Sequence, residues 1–239
     1  MAKSGGKSPR GTGGPKRPAR TAQRTPKGPK KQAPPVVAPP ALPPGPLRVG
    51  VIPGATPGKW IDTWQERMPR IPLQVVPIAV ADGRRVFDDD EVDVALVRLP
   101  LDTDGLHTIP LYDEVTVVVV PVDSHLTAAD ELAADDLAGE VLITPADDVL
   151  GLAVPGTTAP RFAPPETTEE AIATVAAGVG IVIVPMSLAR LHQRKDVDQR
   201  PLRDAPASRV AIAWRADAAN ALVDTFVGIV RGRTANSSR

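Results

Sequence analysis

The chain has 239 residues, with 28 Lys/Arg against 28 Asp/Glu and so no formal net charge. That zero conceals a division: residues 1–45 carry ten Lys/Arg and no Asp/Glu, which leaves 18 basic and 28 acidic residues, a balance of −10, for 46–239. There is no cysteine, which excludes thiol catalysis, disulfides and thiolate metal sites together, and no apolar run is long enough for a membrane-spanning helix.

The first segment reads MAKSGGKSPRGTGGPKRPARTAQRTPKGPKKQAPPVVAPPALPPG. It cannot bury enough apolar surface to offset its ordering entropy, so 1–46 is expected to be a disordered basic tail, its Pro-rich end (33–46) serving as an extended spacer. It lacks the apolar core of a secretory signal, which makes the cytoplasm the expected compartment. Lys16, Arg17, Arg20, Arg24, Lys27, Lys30 and Lys31 are dispersed among Gly and Pro, a pattern suited to non-specific contact with nucleic acid phosphates and equally to a solubilising extension. Sequence-specific reading is not expected, because no element of this tail is suited to enter a groove.

The globular part opens with LRVGVI, a short apolar strand at 47–52. VIPGATPGKW follows and nearly spells a Walker loop, but Pro53 stands where the first Gly is needed and Trp60 where the hydroxyl is needed, so nucleotide binding is not expected. Residues 58–68 carry a helical apolar face through Trp60, Ile61, Trp64 and Met68. Further along, 73–80 is a strand, 84–88 a helical turn and VDVALV at 92–97 a strand. VTVVVV at 115–120 is too β-branched to be anything but a buried strand. Capping-box spacing at Thr127 to Asp130 starts a short helix, and 141–144 is a strand. Thr167-Thr168-Glu169-Glu170 caps a helix that Gly178 and Gly180 terminate. A strand at 181–184, a helix at 186–193, a strand at 210–214 and an amphipathic helix at 218–231 complete the chain. This alternation predicts an α/β architecture with mixed, largely parallel sheets, in which ligands bind beyond the carboxyl ends of strands.

Four passages carry a resemblance to a known family: LRVGVIPG, VFDDDEVDVALVRLP, GLHTIPLYDEVTVVVVPVDSHLTAADELAADDLAGEVLIT, and AIATVAAGVGIVIVPMSLA. In this order they resemble the effector-binding (substrate-binding) domain of LysR-type transcriptional regulators, over 47–235. The resemblance implies a two-lobed fold of the type II periplasmic-binding-protein kind. Lobe one would comprise about 47–114 and 209–232 and lobe two about 115–208, with a small effector between them. Two departures stand out. The family's N-terminal winged helix-turn-helix is not matched by the basic tail, and the Pro/Gly-rich passage at 145–165 replaces an expected helix and strand. Ligand identity and DNA binding therefore do not transfer.

Within that frame the candidate ligand residues in lobe one are Gly54, Ala55, Thr56 and Arg98. The first three form the loop at a helix N-terminus, which favours an anionic group. Arg98 ends a strand and could clamp a carboxylate or, equally, form a rim salt bridge. In lobe two Thr144, Thr167 and Thr168 sit near strand ends or helix starts, where plain capping is the competing role. The run Asp88-Asp89-Asp90-Glu91 lacks the spacing of a calcium loop, the three histidines share no ligand spacing, and no G-x-S-x-G elbow exists. No catalysis, cofactor or metal is expected. Side-by-side pairing, common to the family's effector domains, suggests a homodimer through the helix bearing Trp60 and Trp64. A ligand-free interaction module and a solute-binding protein are the rival readings.

Overall fold

The strand LRVGV (β1, Leu47–Val51) buries Leu47 and Val49 completely, as its alternation requires. The computed structural model describes residues 45–232; the tail positions Lys16, Arg17, Arg20, Arg24, Lys27, Lys30 and Lys31 lie outside them. β1 is followed by α1 (Gly58–Arg67), β2 (Leu73–Pro77), α2 (Arg85–Asp88), β3 (Val94–Leu99) and β4 (Leu106–Glu114). Then come β5 (Thr116–Pro121), α3 (Thr168–Ala176), β6 (Val182–Pro185), α4 (Met186–Leu191), β7 (Val197–Pro201), β8 (Ser208–Arg215) and α5 (Ala221–Val230).

Two sheets result: five strands in the order β2-β1-β3-β8-β4, and three in the order β6-β5-β7. The chain passes from the first to the second between Glu114 and Thr116 and returns between Pro201 and Ser208. The architecture is α/β, two-lobed and mixed. Its parallel pairing is limited to β1 with β2 and β3; β8 runs antiparallel to β3 and β4, and the smaller sheet is wholly antiparallel. The expectation of largely parallel sheets is thus corrected. Strand sense depends on how the chain returns from the second lobe, which local apolar periodicity does not encode.

Each sheet is covered on both faces. In VTVVVV, Val117 and Val119 pack with Ile172, Val175 and Leu188 on one side, while Val118 and Val120 meet Leu126, Leu132 and Leu137 on the other. In the larger sheet, Val94 and Leu96 join Trp64 and Phe226, and Ala95 and Val97 face Phe87 and Val86. Burying one such Val contributes roughly 1.5–3 kcal/mol, so an unbroken apolar run is stable only where both faces are covered.

Several local features differ from what the sequence predicts or go beyond it. β4, a strand where no element is predicted, contains Pro110, but it is an edge strand and its register shifts between Pro110 and Tyr112; edges and bulges are where a sheet tolerates proline. Residues 141–144 make isolated bridges rather than a strand. Ser124, not Thr127, caps a 3-10 turn at His125–Ala128, its hydroxyl accepting from the Leu126 amide. Thr167 does cap α3, accepting from Glu170 N at 3.2 Å. Trp64 is wholly buried, meets Phe226 edge-on at 6.0 Å and donates from Nε1 to the Ile71 carbonyl. The two tryptophans therefore do not form an exposed seam on α1, whose outer face presents Lys59, Asp62, Gln65 and Glu66.

Candidate functional site

The stretch Ile52-Pro53-Gly54-Ala55 closes a turn with a hydrogen bond from Ala55 N to Ile52 O. Proline at its second position and a positive φ of 83° at Gly54 mark a type II turn, a position that glycine takes with the least strain. A second constraint acts on the same residue. A Cβ on Gly54 would lie 2.5 Å from Ser187 Oγ, so the first lobe's turn presses directly on α4 of the second. The Gly-rich loop is a close-approach turn, not a phosphate cradle.

Beside this contact lies a cavity of ≈ 620 Å³, within the range of small-molecule sites. Gly54, Ala55 and Thr56 line it from the first lobe, Tyr112 to Val115 from the strand leading into the second, and Met186, Ser187, Arg190 and Leu191 from α4. Tyr112, Val115 and Leu191 are 39%, 52% and 54% exposed, an unusual clustering of large apolar groups at one opening. No ion pair or side-chain hydrogen bond engages the Arg190 guanidinium among the described residues.

A buried polar cluster backs the cavity wall. Arg98 Nη1 donates to Glu114 Oε2 at 2.9 Å and to Ser208 Oγ, and Ser187 Oγ donates to the same Glu114 oxygen at 2.8 Å. The Arg98 and Glu114 side chains are only 2% and 8% exposed. Arg98 comes from β3, Glu114 and Ser208 from the two lobe crossings, and Ser187 from α4, so one guanidinium ties every segment that joins the lobes. Thr116 adds a direct link between the crossings, donating to Pro206 O at 2.7 Å. The Nε and Nη2 atoms of Arg98 are buried and have no partner, a cost offset only by the strength of the bonds at Nη1. Burial, and secondarily the Glu114 charge, pushes the Tyr112 phenol above its ordinary pKa of 10.0.

The sequence model for the LysR substrate binding domain matches residues 40–235. The chain belongs to that family. Among curated proteins it is 24% identical over 204 residues to the Hca operon transcriptional activator HcaR of Escherichia coli (strain K12), covering 80% of this chain and 68% of that protein. It is 28% identical over 196 residues to a probable hydrogen peroxide-inducible genes activator of Streptomyces viridosporus, covering 74% and 61%. The chain spans between 42% and 68% of the length of the curated relatives it matches. In fold it is similar to the reduced form of the OxyR regulatory domain from Pseudomonas aeruginosa, with a TM-score of 0.61, 26% identity, and coverage of 78% of this chain and 97% of that one. It is also similar to the BenM effector binding domain with its effector benzoate, with a TM-score of 0.65, 17% identity, and coverage of 80% and 92%.

In this LysR-family domain, the structure brings Gly54, Ala55 and Thr56 to the cavity and leaves the other four sequence candidates away from its lining. Arg98 sits behind Glu114, its Nη1 already committed to that carboxylate. Thr167 is engaged in capping α3, and Thr168, buried, donates to Asp147 Oδ1 at 2.8 Å. Thr144 is exposed beside Asp148 and Leu152. Sequence reasoning misses Tyr112, Glu114, Ser187 and Arg190. Their only signal is position: two precede the lobe crossing, and two follow the proline that ends the V-A-A-G-V-G-I-V-I-V-P passage. The acidic turn is neutralised by Arg48, Arg84 and Arg85, and no group that could hold a metal occurs among the described residues. No helix among the described residues is long and apolar enough to cross a membrane.

Proposed function

We propose that this chain is a non-enzymatic effector-sensing domain of the LysR kind, with a small molecule bound where the β1–α1 turn, the strand before the first crossing and α4 meet. The observation that carries this reading is the ≈ 620 Å³ cavity at that junction, lined from both lobes. A ligand there touches both lobes at once and so has differential affinity for different lobe angles, which is the requirement for a conformational signal. Gly54, Ala55 and Thr56 are its contacts in the first lobe; Arg98 acts by holding Glu114 and the crossings in place. Some relatives are named for hydrogen peroxide induction, and one structural neighbour holds benzoate. This chain has no cysteine to oxidise, so reversible, non-covalent binding is the mode it supports. A thermal-shift screen of a metabolite panel tests the reading: stabilisation that is lost on introducing Val115→Asp at the cavity wall supports it. Failure of every compound would favour a ligand-free module.

We also propose that output runs through the basic segment. Ten cations precede a domain of net charge −10, so affinity for DNA would reside in Lys16, Arg17, Arg20, Arg24, Lys27, Lys30, Lys31 and their neighbours. If six or more neutralise phosphates, the log–log salt slope should be about −5 or steeper. Binding that survives deletion of 1–45, or that depends strongly on DNA sequence, would refute this. A cytoplasmic homodimer completes the proposal; with Trp64 in the core, its support is the pairing that family resemblance implies. A monomer in light scattering at high micromolar concentration would exclude it.

A further inference from the structure

We infer that the interlobe cavity selects an amphipathic monoanion, a single acidic group on an apolar body, with the Arg190 guanidinium as the partner of that group. The inference rests on the cavity being the effector site and specifies what enters it. Asp113 and Glu114 are the acidic side chains in the lining, and both already have basic partners. Asp113 is held bidentately by Arg209, at 2.7 and 3.0 Å. Glu114 is shared by Arg98 and Ser187. That leaves Arg190 as the one charge in the lining without a counter-ion among the described residues.

The rest of the lining decides the body of the ligand. Tyr112, Val115, Met186 and Leu191 contribute apolar surface, and three of them are exposed, a grouping of the kind that marks a binding surface. Thr56 is the only hydroxyl in the lining besides Tyr112 and the engaged Ser187. A sugar or a polyol would therefore leave most of its hydroxyls without partners, at a desolvation cost for each. A dianion would find a counter-ion in Arg190 for only one of its two charges, and the second would be desolvated without a partner. A cation would meet an unpaired guanidinium. A monoanion with an apolar body satisfies both halves of the surface.

The test uses the full chain and a matched series: phenylalkanoates of graded length, the corresponding amides and amines, and phenylsuccinate as a dianion, titrated calorimetrically. The expected result is binding of a phenylalkanoate with its amide weaker by roughly three- to tenfold, the modest end for a charge contact at an exposed site. In Arg190→Gln that acid–amide gap should close, while the neutral substitutions Val115→Asn and Leu191→Asn, both at exposed positions, should weaken acid and amide alike. Equal binding of acid and amide, preference for the dianion or the amine, or an unchanged gap in Arg190→Gln would overturn the inference. So would failure of the whole series at millimolar concentration. If a panel compound of another class binds and Val115→Asp abolishes it, the cavity stands as the effector site and only the monoanion assignment falls. If binding ignores both wall substitutions, the effector site lies elsewhere and both readings fall.

Discussion

Removing the Arg98 guanidinium should destabilise the unliganded domain heavily, and removing Glu114 with it should restore most of the loss. Arg98→Met keeps the apolar stem but leaves the Glu114 carboxylate, 8% exposed, with Ser187 as its remaining hydrogen-bond partner at 2.8 Å. Breaking a buried pair by deleting one member costs about 3–5 kcal/mol, because a buried charge is left uncompensated. For a domain of this size each kcal/mol moves Tm by about 2–4 °C, so a fall of roughly 6–20 °C is expected. The pair itself contributes much less, since Arg98 is buried with Nε and Nη2 unpartnered. Replacing both residues, Arg98→Met with Glu114→Leu, should return stability to within about 1–2 kcal/mol of the parent or above it. Differential scanning calorimetry on the four proteins of this double-mutant cycle gives the coupling directly. A loss below about 2 °C for Arg98→Met, or additive losses in the double variant, would refute the reasoning and return Arg98 to the role of a ligand clamp.

Three further outcomes follow from the geometry. Trp64→Ala removes a wholly buried ring, its edge contact with Phe226 and its bond to the Ile71 carbonyl, and should cost about 3–5 kcal/mol in urea unfolding; a cost under about 1 kcal/mol would mean that α1 is not anchored as described. Gly54→Ala combines a positive φ with a Cβ placed 2.5 Å from Ser187 Oγ, so a loss of about 1–3 kcal/mol is expected, and an unchanged Tm would show that the turn and α4 are not in contact. Asp82, Asp113, Asp196 and Asp217 are held below the ordinary aspartate value of 3.8, each chiefly by a hydrogen bond from an arginine. A depressed folded-state pKa gives stability that is present above the unfolded value and lost as pH falls through the folded one. Tm measured from about pH 6 downward should therefore hold until near pH 4 and then decline, less steeply in high salt; a decline beginning above about pH 5 would implicate other groups.

Local chemistry decided much of this protein. VTVVVV had to be a buried strand because both of its alternating faces are apolar, Thr167 caps because its hydroxyl accepts from Glu170 N, and Pro53-Gly54 turns because proline's fixed φ and glycine's access to positive φ both suit a type II bend. These features depend on neighbours within about four residues, a range that periodicity and capping signals cover. What lay beyond that range was decided by tertiary structure. Pro110 sits in a strand because β4 is at the sheet edge; Trp64 turns inward because Phe226, from the far end of the chain, meets it. The candidate site is the clearest case. Gly54, Glu114 and Ser187 are brought together from three segments, and Arg98 is spent on Glu114 while Arg190 is left unpaired among the described residues. Which cation is neutralised and which is free depends on the path the chain takes between the lobes, since an ion pair reaches only a few ångströms whatever the separation in sequence.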